Sequence, residues 1–352
     1  MADSVIQVLL VDDSSMVREM LREILEQEPD MLVVGEATNG QEALEKARLL
    51  KPSLITMDLE MPVMNGMEAI TVIMGAKAVP ILVVSSVADA QQAYEAVRRG
   101  ALDVVAKPNI SDASVREFVT KVRMLAKVPV ITHIRPIYVD EPQGAPPRRP
   151  LPALQTTTGN RGAACPVFAI AASTGGPQAL ARILPQLPAD FPCPVLIAQH
   201  ISEGFAAGMA EWLSGLCKLP VRLALHGEPV CPGSIFLAQP EYHCTINSAR
   251  QIVLVERSLQ DIYRPSCDHL LESVASIYRT DAIGIILTGM GKDGAQGIAG
   301  IRRNGGITIG QDQASSLIYG MNRCAIEAGN VQKVLPESAI ADEMIRLARG
   351  QR

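Results

Sequence analysis

Twice along this chain, apolar runs of strand length alternate with amphipathic helical stretches, and a segment rich in proline, threonine and glycine separates the two series. Parallel strands need a crossover between them, so such alternation builds a mainly parallel sheet with helices on both faces. In the first series strands are expected at VIQVLLV, MLVVGEA, SLITMD, PILVVSS and DVVAKP, with helices over Met16–Glu26, Gln41–Leu50 and Ala90–Arg99. Five such units make a doubly wound α/β domain over residues 1–128.

The break, VPVITHIRPIYVDEPQGAPPRRPLPALQTTTGNRG, is expected to be a linker over 129–162. Treated as flexible, about 35 residues have an r.m.s. span of roughly 33 Å, enough for two domains to dock face to face. From 163 to 352 a second α/β domain is expected. It carries FAIAAS, a helix over Gln178–Leu187, PVLIAQH, a helix over Phe205–Leu216, and VRLAL. SIFLAQP and the pair HCTIN and QIVLVE are expected to interrupt it as antiparallel strands. Helix Asp268–Tyr278, strand AIGIILT, helix Ala295–Arg303, strand GITIGQ and a last helix then resume the rhythm. At 352 residues, two cores are the natural division.

Composition narrows the function. A net charge of −5 and 3% aromatic residues give neither the basic field nor the stacking surfaces of a nucleic-acid binder. No apolar run approaches the roughly 18 to 20 residues of a membrane span, and MADSVIQVLLVDDSS has no basic segment before its apolar run. A cytoplasmic monomer without membrane insertion is expected. The seven cysteines form no C-x-x-C pair and are odd in number, so buried free thiols are expected rather than a disulfide framework or a zinc site.

In a parallel α/β sheet, functional groups gather at the carboxyl ends of the strands. In the first domain those ends carry Asp12 and Asp13, then Asp58, then Ser85, then Lys107 before Pro108. Singly, each aspartate reads as a helix cap or a loop residue. Jointly, three converging carboxylates call for a cation, and an all-oxygen set suits Mg²⁺. A lysine and a hydroxyl beside them suit phosphoryl oxygens. With DD, DLEMPVMNG, the hydroxyl and KP in order, residues 4 to 127 closely resemble the flavodoxin-like response-regulator receiver domain. The resemblance implies Asp58 as phosphoacceptor, and Asp13, Asp58 and the carbonyl of Glu60 as Mg²⁺ ligands with Asp12 at the metal site. It also implies that Ser85 and Lys107 sense the phosphoryl group. Many receivers have an aromatic residue where this chain has Val104, so the signal is expected to travel through Ser85 and the segment after it.

In the second domain, FAIAASTGGP runs an apolar strand into a glycine-rich turn and then a helix, with Ser173 at the bend. A nucleophile there projects from the sheet edge while N–H groups at the helix start face a developing oxyanion. The G-x-S-x-G elbow is half met, since Ala171 replaces its first glycine, and STGG alone reads equally as a phosphate-binding turn or a cap. His200 ends the next strand and is the candidate base. His133 falls in the linker, and His226, His243 and His269 fall on a strand end, a hairpin and a helix. Asp293, in LTGMGKDGAQG, can orient an imidazole or simply cap the following helix.

Together FAIAASTGGP, LIAQHI, QPEYH, RPSCD, LTGMGKDGAQG and YGMNRCAI resemble the protein-glutamate methylesterases of bacterial chemotaxis over residues 165 to 349. That resemblance implies Ser173 as nucleophile, His200 as base and then acid, Asp293 as orienting carboxylate, the Met290 N–H as oxyanion donor and Thr174 in support. The esterase is expected to need no cofactor. Implied partners are methyl-accepting chemoreceptors as substrate and a chemotaxis histidine kinase as phosphodonor, with receptor glutamine deamidation as a second activity. Asn322 stands where the family commonly has proline. Two rivals remain open at this point: a receiver-controlled serine esterase or amidase with another substrate, and a non-catalytic adaptor.

Overall fold

The first sheet consists of β1 Ile6–Val11, β2 Met31–Ala37, β3 Leu54–Met57, β4 Ile81–Ser85 and β5 Asp103–Ala106. In the computed structural model, which describes residues 5–109, 112–130, 165–258 and 261–351, these strands lie in the order β2-β1-β3-β4-β5, every pairing parallel. The crossovers are α1 Ser15–Glu26, α2 Gly40–Leu50, α3 Gly66–Ala76 and α4 Ala90–Arg98, and α5 Asp112–Leu125 follows β5. Because helices cover both faces, strands such as ILVVS are buried at every residue instead of alternating. Ser14, Asn39 and Asn65 cap α1, α2 and α3 with side-chain oxygens that accept from the N–H three residues on.

The second sheet is larger. Its strands β6 Val167–Ala172, β7 Val195–Gln199, β8 Val221–Leu223, β9 Ile235–Leu237, β12 Ala282–Ile286, β13 Ile307–Gln311 and β14 Lys333–Leu335 stand in the order β14-β13-β12-β6-β7-β9-β8. β10 Tyr242–Ile246 and β11 Ile252–Glu256 form a separate antiparallel hairpin. SIFLAQP departs from expectation: β9 is parallel, inserted between β7 and β8, with Ile235, Phe236 and Leu237 fully buried. Three residues that are apolar on both faces suit an interior parallel position, which a one-sided hairpin would leave half wet. The helices are α6 Gly176–Ile183, α7 Ala206–Leu216, α8 Cys267–Tyr278, α9 Ala295–Arg303, α10 Met321–Glu327 and α11 Glu337–Ala348.

The expectation of seven free cysteines is corrected. Cys165 and Cys193 are disulfide-bonded with Cα atoms 5.8 Å apart, and the other five are free. Cys165 precedes β6 and Cys193 precedes β7, so the pairing of these neighbouring strands brings together two residues that no local motif links. The linker expected over 129–162 lies outside the described residues from 131 onward. No helix among the described residues is long and apolar enough to cross a membrane.

The two domains are packed together. α4 lies against α7 and α6, and the Tyr94 ring stacks on Trp212 at 5.6 Å between centroids and 25° between planes. Leu317 and Ile318, in the loop before α10, pack against the apolar cluster of the N-terminal domain.

Candidate active site and phosphoacceptor site

β6 sits at the centre of its sheet, flanked by β7 and β12; Ser173 and His200 directly follow β6 and β7, and Asp293 comes from the loop between β12 and α9. The chain leaves β6 at Ser173 and turns through Gly175, whose φ of +80° only glycine adopts without strain, into α6. β7 ends at His200, whose N–H donates to the Ala172 carbonyl at 3.0 Å. The loop after β12 passes over Ser173 at Gly289, where a Cβ would lie 2.6 Å from that of Ser173 and 2.5 Å from Met321 Sδ. Glycine is required there by contact alone. The N–H groups of Thr174 and Met290, which follow Ser173 and Gly289 in the chain, have no acceptor among the described residues.

His200 Nε2 is 2.8 Å from Asp293 Oδ2. Asp293 also accepts from the N–H of Cys267 at 2.6 Å, the N–H of Asp268 at 3.0 Å and the Ser266 hydroxyl at 3.0 Å, all at the start of α8. Burial alone would raise its carboxyl, but the His200 hydrogen bond and charge and the backbone donors outweigh it and hold the group down at about 2. Its oxygens are taken up by these donors and by His200, so the alternative role as a cap of α9 is not what they do. Tyr263 stacks on the imidazole at 5.1 Å and 13°. Gln199 fixes the backbone of both neighbours, donating to the carbonyls of Ser173 and His200 at 2.8 Å each.

With Nε2 held by Asp293, the imidazole nitrogen left for Ser173 is Nδ1, the reverse of the usual serine-hydrolase arrangement. Ser173 Oγ makes no direct hydrogen bond to His200 in this docked form, a looseness common before substrate binds. The other described histidines serve elsewhere: His243 bridges Asp261 and the Ser266 N–H, and His226 accepts from the Leu254 N–H.

The acidic cluster assembles as expected. One oxygen from each of Asp12, Asp13 and Asp58 lies within 4.8 Å of the others. Lys107 Nζ is 2.9 Å from Asp12 and 3.1 Å from Asp58. Burial and the Asp12 charge push Asp58 upward, against the pull of Lys107. Burial opposes the Lys107 charge, but its bond to Asp12 and the Asp58 charge win and raise it. Ser85 Oγ is fully buried with no hydrogen-bond partner among the described residues. Val104 is buried in the sheet. Glu60 borders a cavity of about 540 Å³ with Asp13, Met61 and Asn65.

Some residues that shape these sites were invisible to sequence reasoning. Tyr263 carries no motif of its own, and Gln199 falls in LIAQHI, where only His200 was given a role. Ser266 and Cys267 fall in RPSCD, which contributed to the resemblance without a role.

An acidic cluster at one sheet edge, in a domain packed beside a Ser–His–Asp edge in another, is the arrangement of a response regulator whose output domain is an enzyme. Residues 8–119 match the response regulator receiver domain family and residues 168–344 the CheB methylesterase family. The chain is 51% identical over 350 residues to the protein-glutamate methylesterase/protein-glutamine glutaminase 3 of Paramagnetospirillum magneticum, covering 97% of this chain and 96% of that one. It is 40% identical to the group 3 operon enzyme of that name in Pseudomonas putida, covering 96% and 98%. The crystal structure of the Thermotoga maritima CheB methylesterase catalytic domain superposes with a TM-score of 0.51 at 34% identity, covering 53% of this chain and all of that one. The chain belongs to the CheB methylesterase family, with a receiver domain in front.

Proposed function

We propose that the chain is a phosphorylation-activated protein-glutamate methylesterase that hydrolyses glutamyl methyl esters on chemoreceptors to glutamate and methanol, and deamidates receptor glutamines, in chemotactic adaptation. Residues 1–128 act as receiver, 129–162 as tether and 163–352 as catalytic domain, in a cytoplasmic monomer supplied by a chemotaxis histidine kinase. The observation that carries this reading is the His200–Asp293 pair made at 2.8 Å, with His200 at the end of β7 beside Ser173 at the end of β6 and Asp293 in the loop after the neighbouring β12.

Ser173 Oγ attacks the ester carbonyl carbon while its proton passes to His200 Nδ1. Asp293 keeps the ring oriented through Nε2 and stabilises the imidazolium. The tetrahedral oxyanion accepts from the N–H groups of Met290 and Thr174. Collapse expels methanol, protonated by His200, and leaves an acyl-Ser173. Water, deprotonated by the same ring, then attacks the acyl carbon and releases glutamate. A glutamine side chain gives the same acyl-enzyme with ammonia as the leaving group.

In the receiver, the all-oxygen donor set fits Mg²⁺, held by Asp13, Asp58 and the carbonyl of Glu60 with Asp12 alongside. When bound, the ion offsets the repulsion between these carboxylates and an incoming phosphoryl group. Asp58 accepts the phosphoryl group, Lys107 pairs with its oxygens, and the unpartnered Ser85 hydroxyl donates to it.

Regulation follows from the docked domains. A tethered partner at an effective concentration on the order of millimolar holds even a weak interface closed. Phosphorylation adds nearly two negative charges and reshapes the docked face. A fluorophosphonate probe tests the reading: it should label Ser173, faster with a phosphodonor than without. Absence of label on Ser173 in the phosphorylated chain would favour the adaptor reading.

A further inference from the structure

Ser202 lies two residues beyond His200, buried, in contact with the receiver. Its hydroxyl donates to Glu117 Oε1 on α5 at 2.7 Å and accepts the Ala106 N–H at the end of β5 at 3.4 Å. Ala106 is followed by Lys107, whose N–H donates to the Ser85 carbonyl at 2.9 Å and whose ammonium contacts Asp12 and Asp58. On the catalytic side there is little slack between Ser202 and His200. The N–H of His200 is held by Ala172, that of Ile201 by Arg264, and the Ser202 carbonyl by the Phe205 N–H. The segment after Ser85 is seated on the same loop, where a Cβ at Gly204 would lie 2.7 Å from Val87 Cγ1, and the start of α4 is seated on α7, where one at Gly208 would lie 2.6 Å from the Ala90 Cβ.

We infer that Ser202 is the residue through which the phosphorylation state of Asp58 reaches the hydrolytic site, its hydroxyl tying the loop that carries His200 to the carboxyl end of β5. This rests on the reading that the unphosphorylated receiver restrains the esterase, and adds that the restraint is a specific polar tie as well as a cover. Phosphorylation draws Lys107 and Ser85 toward the phosphoryl oxygens. Ala106, covalently joined to Lys107, moves with them, and the Ser202 bridge loses its geometry. Ser202 is a positioning residue and takes no part in the chemistry.

The test measures methanol release by full-length Ser202→Ala and, from the receiver side, Glu117→Ala, each with and without Mg²⁺ and a small phosphodonor. Both variants should raise unphosphorylated activity about fivefold or more, as expected for loss of a part-buried hydrogen bond to a carboxylate, and leave phosphorylated activity unchanged. The activation ratio shrinks, and the double variant is no more active than either single one. Equal loss in both states would make Ser202 a mere structural support of His200 and overturn the inference. Gly208→Leu, a wedge between the domains, separates it from the reading beneath. If the wedge raises unphosphorylated activity and Ser202→Ala does not, docking inhibits but the tie is refuted. If neither does, inhibition by docking fails as well.

Discussion

Ser173 and His200 stand out as candidates because each directly follows a strand, and strand ends show in sequence as apolar runs stopping at a polar residue or glycine; Asp293 lies beyond the end of β12, in the loop before α9, and stands out only through the glycine-rich LTGMGKDGAQG. Ring orientation was not legible, because it is set by which imidazole nitrogen the start of α8 leaves facing Asp293. Ser173→Ala should lower methanol release by several orders of magnitude while leaving Asp58 phosphorylation intact, with His200→Ala similar and Asp293→Asn weaker but severe. A tenth of wild-type turnover in Ser173→Ala would contradict the triad. Asp268, beside Asp293, behaves oppositely to it. Burial, helped by the charges of Asp293 and Glu272 and opposed by the Gly297 N–H, lifts its carboxyl from 3.8 to about 6. The folded chain thus holds a proton that the unfolded chain has released, so this group costs stability as pH rises from about 4 to 6. Asp268→Asn, which keeps an acceptor for Gly297, should stabilise the fold at pH 8 by about 1 kcal/mol, discounting solvent screening of its open side, and change little at pH 4. Melting curves at the two pH values check it; equal shifts at both would refute it.

At the scale of elements, amphipathic helices were readable within a residue or two, as α2, α7 and α9 show. β9 was misassigned because a three-residue apolar run carries no direction: β7 and β8 on either side decide that it is parallel. The Cys165–Cys193 pair was unreadable for a related reason, since only the β6–β7 pairing brings the two together. Asn322 shows an element-level use of a residue that sequence reading left unexplained. Fully buried in the first turn of α10, it donates to the Gln311 carbonyl at 2.9 Å and to Ser316 Oγ at 2.7 Å, fixing the loop that carries Leu317 and Ile318. Asn322→Ala should cost about 1–3 kcal/mol, read as a lowered unfolding midpoint in urea; an unchanged midpoint would show that these bonds hold nothing.

For the whole molecule, the sequence foretold two doubly wound domains, yet the docked face could not be read from it. Tyr94 and Trp212 look like ordinary core aromatics until the domains meet. Asp58 should accept phosphate only with Mg²⁺, so EDTA or Asp58→Asn should abolish phosphotransfer; transfer to Asp58→Asn at the wild-type rate would exclude it as acceptor. A fragment from Gly162 onward should be constitutively more active than the unphosphorylated full chain and indifferent to phosphodonors. The central claim, a serine esterase restrained by its own receiver, is tested most directly by methanol release from methylated receptor membranes, with wild-type protein and Asp58→Asn each assayed with and without a phosphodonor. The account predicts low release from both proteins without phosphodonor and a large rise with it for wild type alone. Equal release by both proteins under all conditions, or none from phosphorylated wild type, would contradict it.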